Sequence, residues 1–219
     1  MRLPILLFFI TVSLCSFSQD TTRYFYPSGQ LRSWQIKLDT NLIYEKSFYE
    51  TGQIEGEVIV IVTNDKPLIE SLKTYFETGE LKDVRNDTLE IRYEPDGSIF
   101  QTTQYKNYKK NGVSKTFLSE RLWLEKEYVD DIQNGWTTTY DSLGKFKVTQ
   151  EYFKNGKQDG PIKYFGKTCK LTKTIYYQDG CPYKAEYFDK TGKLIETLTS
   201  KKAINLKEGV WPINCPLPK

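Results

Sequence analysis

YFKNGKQDGPIKYF, residues 152–165, is the stretch whose reading decides the fold. Its Lys154-Asn155-Gly156 is turn chemistry: Asn tolerates a left-handed backbone and Gly adopts one without steric cost. An aromatic residue, Tyr152, stands four positions before that glycine. The spacing recurs in Phe25–Gly29, Phe48–Gly52, Tyr75–Gly79, Tyr93–Gly97, Tyr108–Gly112, Tyr140–Gly144, Tyr176–Gly180 and Phe188–Gly192. Nine of the 14 glycines obey it, where an aromatic content of 15% gives about two by chance, so the pattern is a repeat. Phe165, Cys169 and Leu171 make a tenth unit, with Cys in the glycine slot.

The residues around each glycine read as a hairpin. Pro27-Ser28-Gly29, Pro95-Asp96-Gly97 and Gln178-Asp179-Gly180 suit a three-residue loop, a type I turn closed by a left-handed residue. Two positions after the glycine stands an apolar residue in six of the nine units: Leu31, Ile54, Leu81, Ile99, Phe146 and Leu194. Across such a loop the aromatic at minus four faces the residue at plus two, the kind of cross-strand pair that stabilises a sheet. Neighbours along a strand point to opposite faces. Position minus four is therefore expected to face a core and position minus three to face outward. Turn glycines are expected at Gly29, Gly52, Gly79, Gly97, Gly144, Gly156, Gly180 and Gly192. Tyr105, Tyr128 and Phe153 each precede a further glycine by seven, at Gly112, Gly135 and Gly160. Two turns make a period near 23 residues, as from Gly29 to Gly52. The expected fold is all-β, an antiparallel meander of short hairpin repeats in one elongated, twisted, solenoid-like sheet. An extra strand over Glu57–Thr63 and a loop around Pro67 interrupt the spacing, and no useful length of helix-type periodicity appears.

YFKNGKQDGPIKYF, FYETGQIEG (48–56) and YFETGELKD (75–83) resemble bacterial MORN-repeat variants, in which such units build an elongated β-sheet. The resemblance covers about residues 24–199 and is densest over 128–196. A repeat array offers a long binding surface, so the expected function is a non-enzymatic, exported interaction or scaffold protein. Some relatives carry the label of toxin–antitoxin antitoxin components.

The first residues read as an address. Arg2 precedes an apolar run, Leu3–Leu14, too short to span a bilayer, and Ser16 and Ser18 have cleavage-site spacing. Residues 1–18 are expected to be a secretory signal and 19–199 the repeat array. Residues 200–219 form a Pro- and Cys-containing tail that would cap it. The protein is then exported to periplasm, cell surface or medium. Cys15 as a lipidated N-terminus is the less favoured alternative, because Leu14 stands where such signals place a small residue.

Composition removes whole classes of chemistry. The 219 residues contain no histidine, which excludes His-based acid–base and nucleophilic catalysis and His-ligated metals. A net charge of +3 offers no basic excess for nucleic acid. Carboxylates such as Glu45, Glu57 and Asp130 are spread like a solvated face, without calcium-loop spacing. No catalytic residue, metal or cofactor is expected. Three cysteines follow the signal, so at most one internal disulfide forms. Cys169 and Cys181 sit at consecutive turns, a strand length apart, which leaves Cys215 with Cys181 or Cys169. The outward aromatics Tyr26, Tyr49, Phe76, Phe153 and Tyr177 are the expected binding residues, facing a protein partner. Envelope lipid or glycan is the alternative ligand.

Overall fold

The computed structural model describes residues 21–64 and 66–199, with Ile204, Lys207 and Glu208 beyond them. The signal segment 1–18 and Cys215 lie outside the described residues. Sixteen strands follow one another: β1 (Thr21–Phe25), β2 (Leu31–Asp39), β3 (Leu42–Phe48), β4 (Ile54–Ile61), β5 (Leu68–Tyr75), β6 (Leu81–Arg85), β7 (Leu89–Tyr93) and β8 (Ile99–Lys106). The second half holds β9 (Lys109–Leu118), β10 (Arg121–Val129), β11 (Ile132–Tyr140), β12 (Lys147–Lys154), β13 (Lys157–Phe165), β14 (Leu171–Gln178), β15 (Cys181–Phe188) and β16 (Leu194–Leu198). They form one open antiparallel sheet in strict chain order, the expected meander.

The two ends of the strands turn differently. At one end, three-residue loops close at Gly29, Gly52, Gly79, Gly97 and Gly192, and Cys169 takes the glycine slot with φ +60°. These loops set Phe25 against Leu31, Phe48 against Ile54, Tyr75 against Leu81, Tyr93 against Ile99, Phe165 against Leu171 and Phe188 against Leu194. Each such pair stabilises the sheet by about 0.2–1 kcal/mol. Gly144 lies in a loop one residue longer, closed between Asp141 and Phe146, so Tyr140 faces Lys147 and Phe146 is exposed.

At the other end, most turns have two residues. Asn155-Gly156 and Asp179-Gly180 belong here, with φ positive at both residues, as in a type I′ turn. The sequence reading placed them in three-residue loops; the left-handed Asn155 and Asp179 give them the tighter form. Gly112 is not a turn residue at all but sits inside β9, and the tight turn there is Asn107-Tyr108. Glu57–Thr63 is no extra strand either, because its first five residues belong to β4, an ordinary member of the meander.

Between these ends runs a band three residues deep that crosses all sixteen strands without a break. Its middle row begins Arg23, Trp34, Lys46, Glu57, Lys73 and ends Lys163, Thr174, Glu186, Thr197. Each strand adds its two flanking residues on the opposite face. Every bulge lies outside the band, on the glycine-loop side as at Phe48, or on the tight-turn side as at Glu127.

Gly135 shows why the inner bulges need glycine. Its φ is +120°, and a Cβ there would lie 2.9 Å from Glu127 Cβ. Glu127 folds over the bulge and its carboxylate accepts the Trp136 N–H at 2.8 Å. Gly135→Ala is expected to destabilise the protein by about 1–3 kcal/mol through strain and crowding. Gly180→Asn, in a turn slot that other units fill with Asp131 or Tyr108, should cost little. Denaturant midpoints of the two variants check this; equal midpoints would contradict it.

Candidate interaction surface

The band gives the sheet two faces of different chemistry. Call the face carrying the middle row the front. Along that row stand five basic residues (Arg23, Lys46, Lys73, Lys115, Lys163) and three acidic ones (Glu57, Glu125, Glu186), a net of +2. Each acid has a basic partner on the same face: Lys46 to Glu57 at 3.0 Å, Lys115 to Glu125 at 3.3 Å and Lys184 to Glu186 at 2.6 Å. Burial alone would raise the Glu57 pKa, but hydrogen bonds from Lys46 and Tyr44 outweigh it and hold the carboxyl below its ordinary range. Burial chiefly, then Glu57, pushes the Tyr44 phenol up to about 12.

Aromatic rings sit beside these ion pairs. Trp34 packs on Tyr44 with centroids 5.3 Å apart, Trp136 on Tyr152 at 5.2 Å and Tyr176 on Tyr183 at 6.2 Å. Lys163 lies over the Trp136 ring at 5.0 Å and Lys184 over Tyr176 at 5.0 Å. Such contacts hold the amines beside the aromatic faces while leaving the front wet.

The back face holds most of the buried positions. Ser33, Thr103, Ser114, Thr116 and Thr137 are buried, and their hydroxyls pair locally, as Thr103 with Ser114 at 3.0 Å. Arg85 lies over the Tyr105 ring at 4.2 Å. Toward β13–β16 the back face turns apolar: Ile175, Ala185 and Ile204 form a buried cluster, flanked by Tyr164, Tyr177, Tyr187 and Leu198. Ile204, Lys207 and Glu208 have helical backbone. Glu208 accepts the Tyr187 hydroxyl at 2.8 Å and pairs with Lys173, while Lys207 pairs with Glu196 and lies over the Tyr187 ring. Burial, then Glu208, raises the Tyr187 pKa. Burial also lifts Tyr164 to about 12.

The five aromatics singled out from the sequence do not form one strip. Tyr26, Tyr49 and Phe76 lie together at the glycine-loop end, one per hairpin, each half-buried. The Tyr26 hydroxyl donates to Phe48 O at 2.9 Å and the Tyr49 hydroxyl to Tyr75 O at 2.7 Å, so each ties its hairpin to the next. Arg32 lies over Tyr26 and Lys82 over Phe76, both at 5.9 Å. Phe153 and Tyr177 sit near the opposite end, and Tyr177 belongs to the cluster under Ile204. The difference follows from the turns: Gly156 and Gly180 close tight turns, so the residue three positions earlier falls at the other end of the strand. Nor does minus four face a core while minus three faces out. Phe48, Tyr49, Tyr75, Phe76, Tyr152 and Phe153 are all half-buried, because a single-layered sheet has water on both sides. The front-face lysines and tryptophans were missed; the alternation of Lys, Glu and aromatic residues at band positions is the signal that marks them.

Cys169 is a free, exposed thiol, and Cys181 is disulfide-bonded to a partner outside the described residues. They stand at opposite ends of β14, as the turn spacing implied. No described helix is long and apolar enough to cross a membrane, and no group of three or more ligating side chains is found among the described residues.

The fold defines an open, single-sheet β-hairpin repeat protein. Residues 44–60, which hold most of β3 and of β4, match the model of the MORN repeat variant family. The chain thus carries a MORN-type repeat over these residues. No curated protein matches the chain.

Tyr49→Phe is expected to lower stability by about 0.5–1.5 kcal/mol, the net worth of one hydrogen bond. Tyr183→Phe, at an exposed ring, should leave it unchanged. Thermal unfolding of both variants tests whether the Tyr49 hydroxyl is structural; an unchanged Tyr49→Phe would contradict that role.

Proposed function

We propose that this chain is an exported, non-enzymatic scaffold of the bacterial cell envelope whose front face binds an acidic protein partner. The repeat sheet and the MORN-type match support a non-enzymatic repeat module. The observation that carries the reading is the front row: Arg23, Lys46, Lys73, Lys115 and Lys163 recur along one face, with half-buried rings beside them. A long, wet, repeated surface suits recognition by several units at once. Arg and aromatic residues are favoured at interfaces, and a basic strip sets partner sign and approach rate more than raw affinity. Export is supported by the signal-like residues 1–18 and by the disulfide at Cys181, since such bonds persist in oxidising compartments.

The test is capture with a face-specific control. Tagged 19–219 is incubated with envelope extract of its own cells and crosslinked, alongside an Arg23→Glu/Lys73→Glu variant; both positions are exposed. The reading expects one dominant acidic protein, retained less as salt rises and lost from the variant. Equal retention by the variant, or recovery of lipid or glycan in place of protein, would overturn it.

A further inference from the structure

A hollow of about 340 Å³ lies on the back face across β2–β5, within the size range of small-molecule sites. Its floor is a run of small residues that pair from strand to strand: Ser33, Ser47, Gly56 and Thr74. Gly56 sits inside β4, where glycine weakens a strand and often marks a close approach by a ligand. Its backbone is not left-handed, so no turn requires it. A Cβ there would lie 3.1 Å from Lys73 O and 3.5 Å from Ser47 Oγ, so a side chain would fill the hollow. Ser33 is only 6% exposed and lines the hollow, and its hydroxyl hydrogen-bonds to no other described residue.

The walls are acidic. Glu45 stands in the next row, with Val58 and then Leu72 across the strands from it. Glu55 lies toward the glycine-loop end, as the residue left over where Ser47 pairs with Gly56 and Phe48 with Ile54. One Glu45 oxygen accepts the Gln35 amide at 2.8 Å, and the other is left for a ligand. Glu55 makes no ion pair among the described residues. Glu57 is a lining residue too, but its carboxylate belongs to the front, held by Lys46 and Tyr44. Arg32 is the basic residue of the lining, and it lies over the Tyr26 ring at 5.9 Å. Carboxylates thus outnumber basic groups, which favours a cation. No aromatic ring lines the hollow, so a sugar has nothing to stack on.

We propose that this hollow binds a short aliphatic diamine, with one ammonium on Glu45, the other on Glu55 and the methylenes over Gly56. Glu45 pairs with Val58, three residues beyond Glu55, so the two backbones stand about 11 Å apart. Side chains leaning inward shorten that to a span that two ammonium groups, four or five methylenes apart, can bridge. Each end makes charge-assisted hydrogen bonds, the strong kind. An ammonium has three donors, and the Ser33 and Ser47 hydroxyl oxygens accept those the carboxylates leave. Val58 and Leu72 give the methylenes an apolar flank. The site lies on the face opposite the basic front row, so it does not depend on that row's partner.

The full chain is titrated by calorimetry with putrescine and cadaverine, with butylamine as a one-ended probe and succinate as a probe of opposite charge. The proposal expects a diamine to bind at least about tenfold tighter than butylamine, the worth of one hydrogen bond to a charged group, and succinate not to bind. Glu45→Gln and Glu55→Gln should each weaken diamine binding by about tenfold or more. Glu80→Gln, at an exposed loop position, should leave it unchanged. Amide NMR spectra of the free variants report that each keeps its fold, and on adding diamine the shifts should centre on Ser33, Ser47 and Gly56. Equal binding of butylamine and diamine, binding of succinate, binding that survives both Gln variants, or no diamine binding at millimolar concentration would overturn the site.

Discussion

The whole molecule hangs on cross-strand pairing within a band three residues deep. Sixteen strands keep that band in register from Arg23 to Thr197, and all irregularity is expelled to its two sides. Register matters because a slip of one residue would send every side chain to the opposite face. The aromatic–aliphatic pairs beside the glycine loops fix the pairing from one end, and the left-handed residues of the tight turns fix it from the other. Each strand hydrogen-bonds only to its chain neighbours, so stability accumulates hairpin by hairpin rather than around a central core. The Tyr26 and Tyr49 hydroxyls add the links from one hairpin to the next.

A single layer with two solvated faces lets the sequence write each face separately. On the front, lysines alternate with glutamates and lie against rings. On the back, buried serines and threonines stand among charged residues such as Asp83, Glu90 and Arg92 until β13, where Ile162, Ile175 and Ala185 turn it apolar and Ile204 covers it. Both faces carry ion pairs, Lys46 with Glu57 on the front and Arg92 with Asp83 and Glu90 on the back, while the buried apolar cluster lies on the back of β13–β16.

The glycine loops were legible because one geometry demands aromatic, loop, glycine and aliphatic at fixed offsets. Phe48, Gly52 and Ile54 could hardly be read otherwise. Gly156 and Gly180 were harder: a tight turn also ends in glycine, so the aromatic four positions earlier proves nothing about loop length. Only Asn155 or Asp179 in left-handed backbone separates the two. The two faces were obscured for a physical reason. With water on both sides, a strand such as Leu171–Gln178 lacks the clean apolar–polar alternation that marks a buried face. The contact made by Ile204 left no trace in the sequence pattern, since a few apolar residues after Lys201-Lys202 look like any tail.

The most direct test of the account is the continuity of the band. Backbone amides can be followed by native-state hydrogen exchange resolved to single residues. The account predicts protected amides at band positions in every strand from β2 to β15, including Lys73, Val84, Ile91 and Thr102 where the glycine spacing is least even. Protection that broke into separate islands, with the band amides of β5–β8 exchanging freely, would contradict a single continuous sheet.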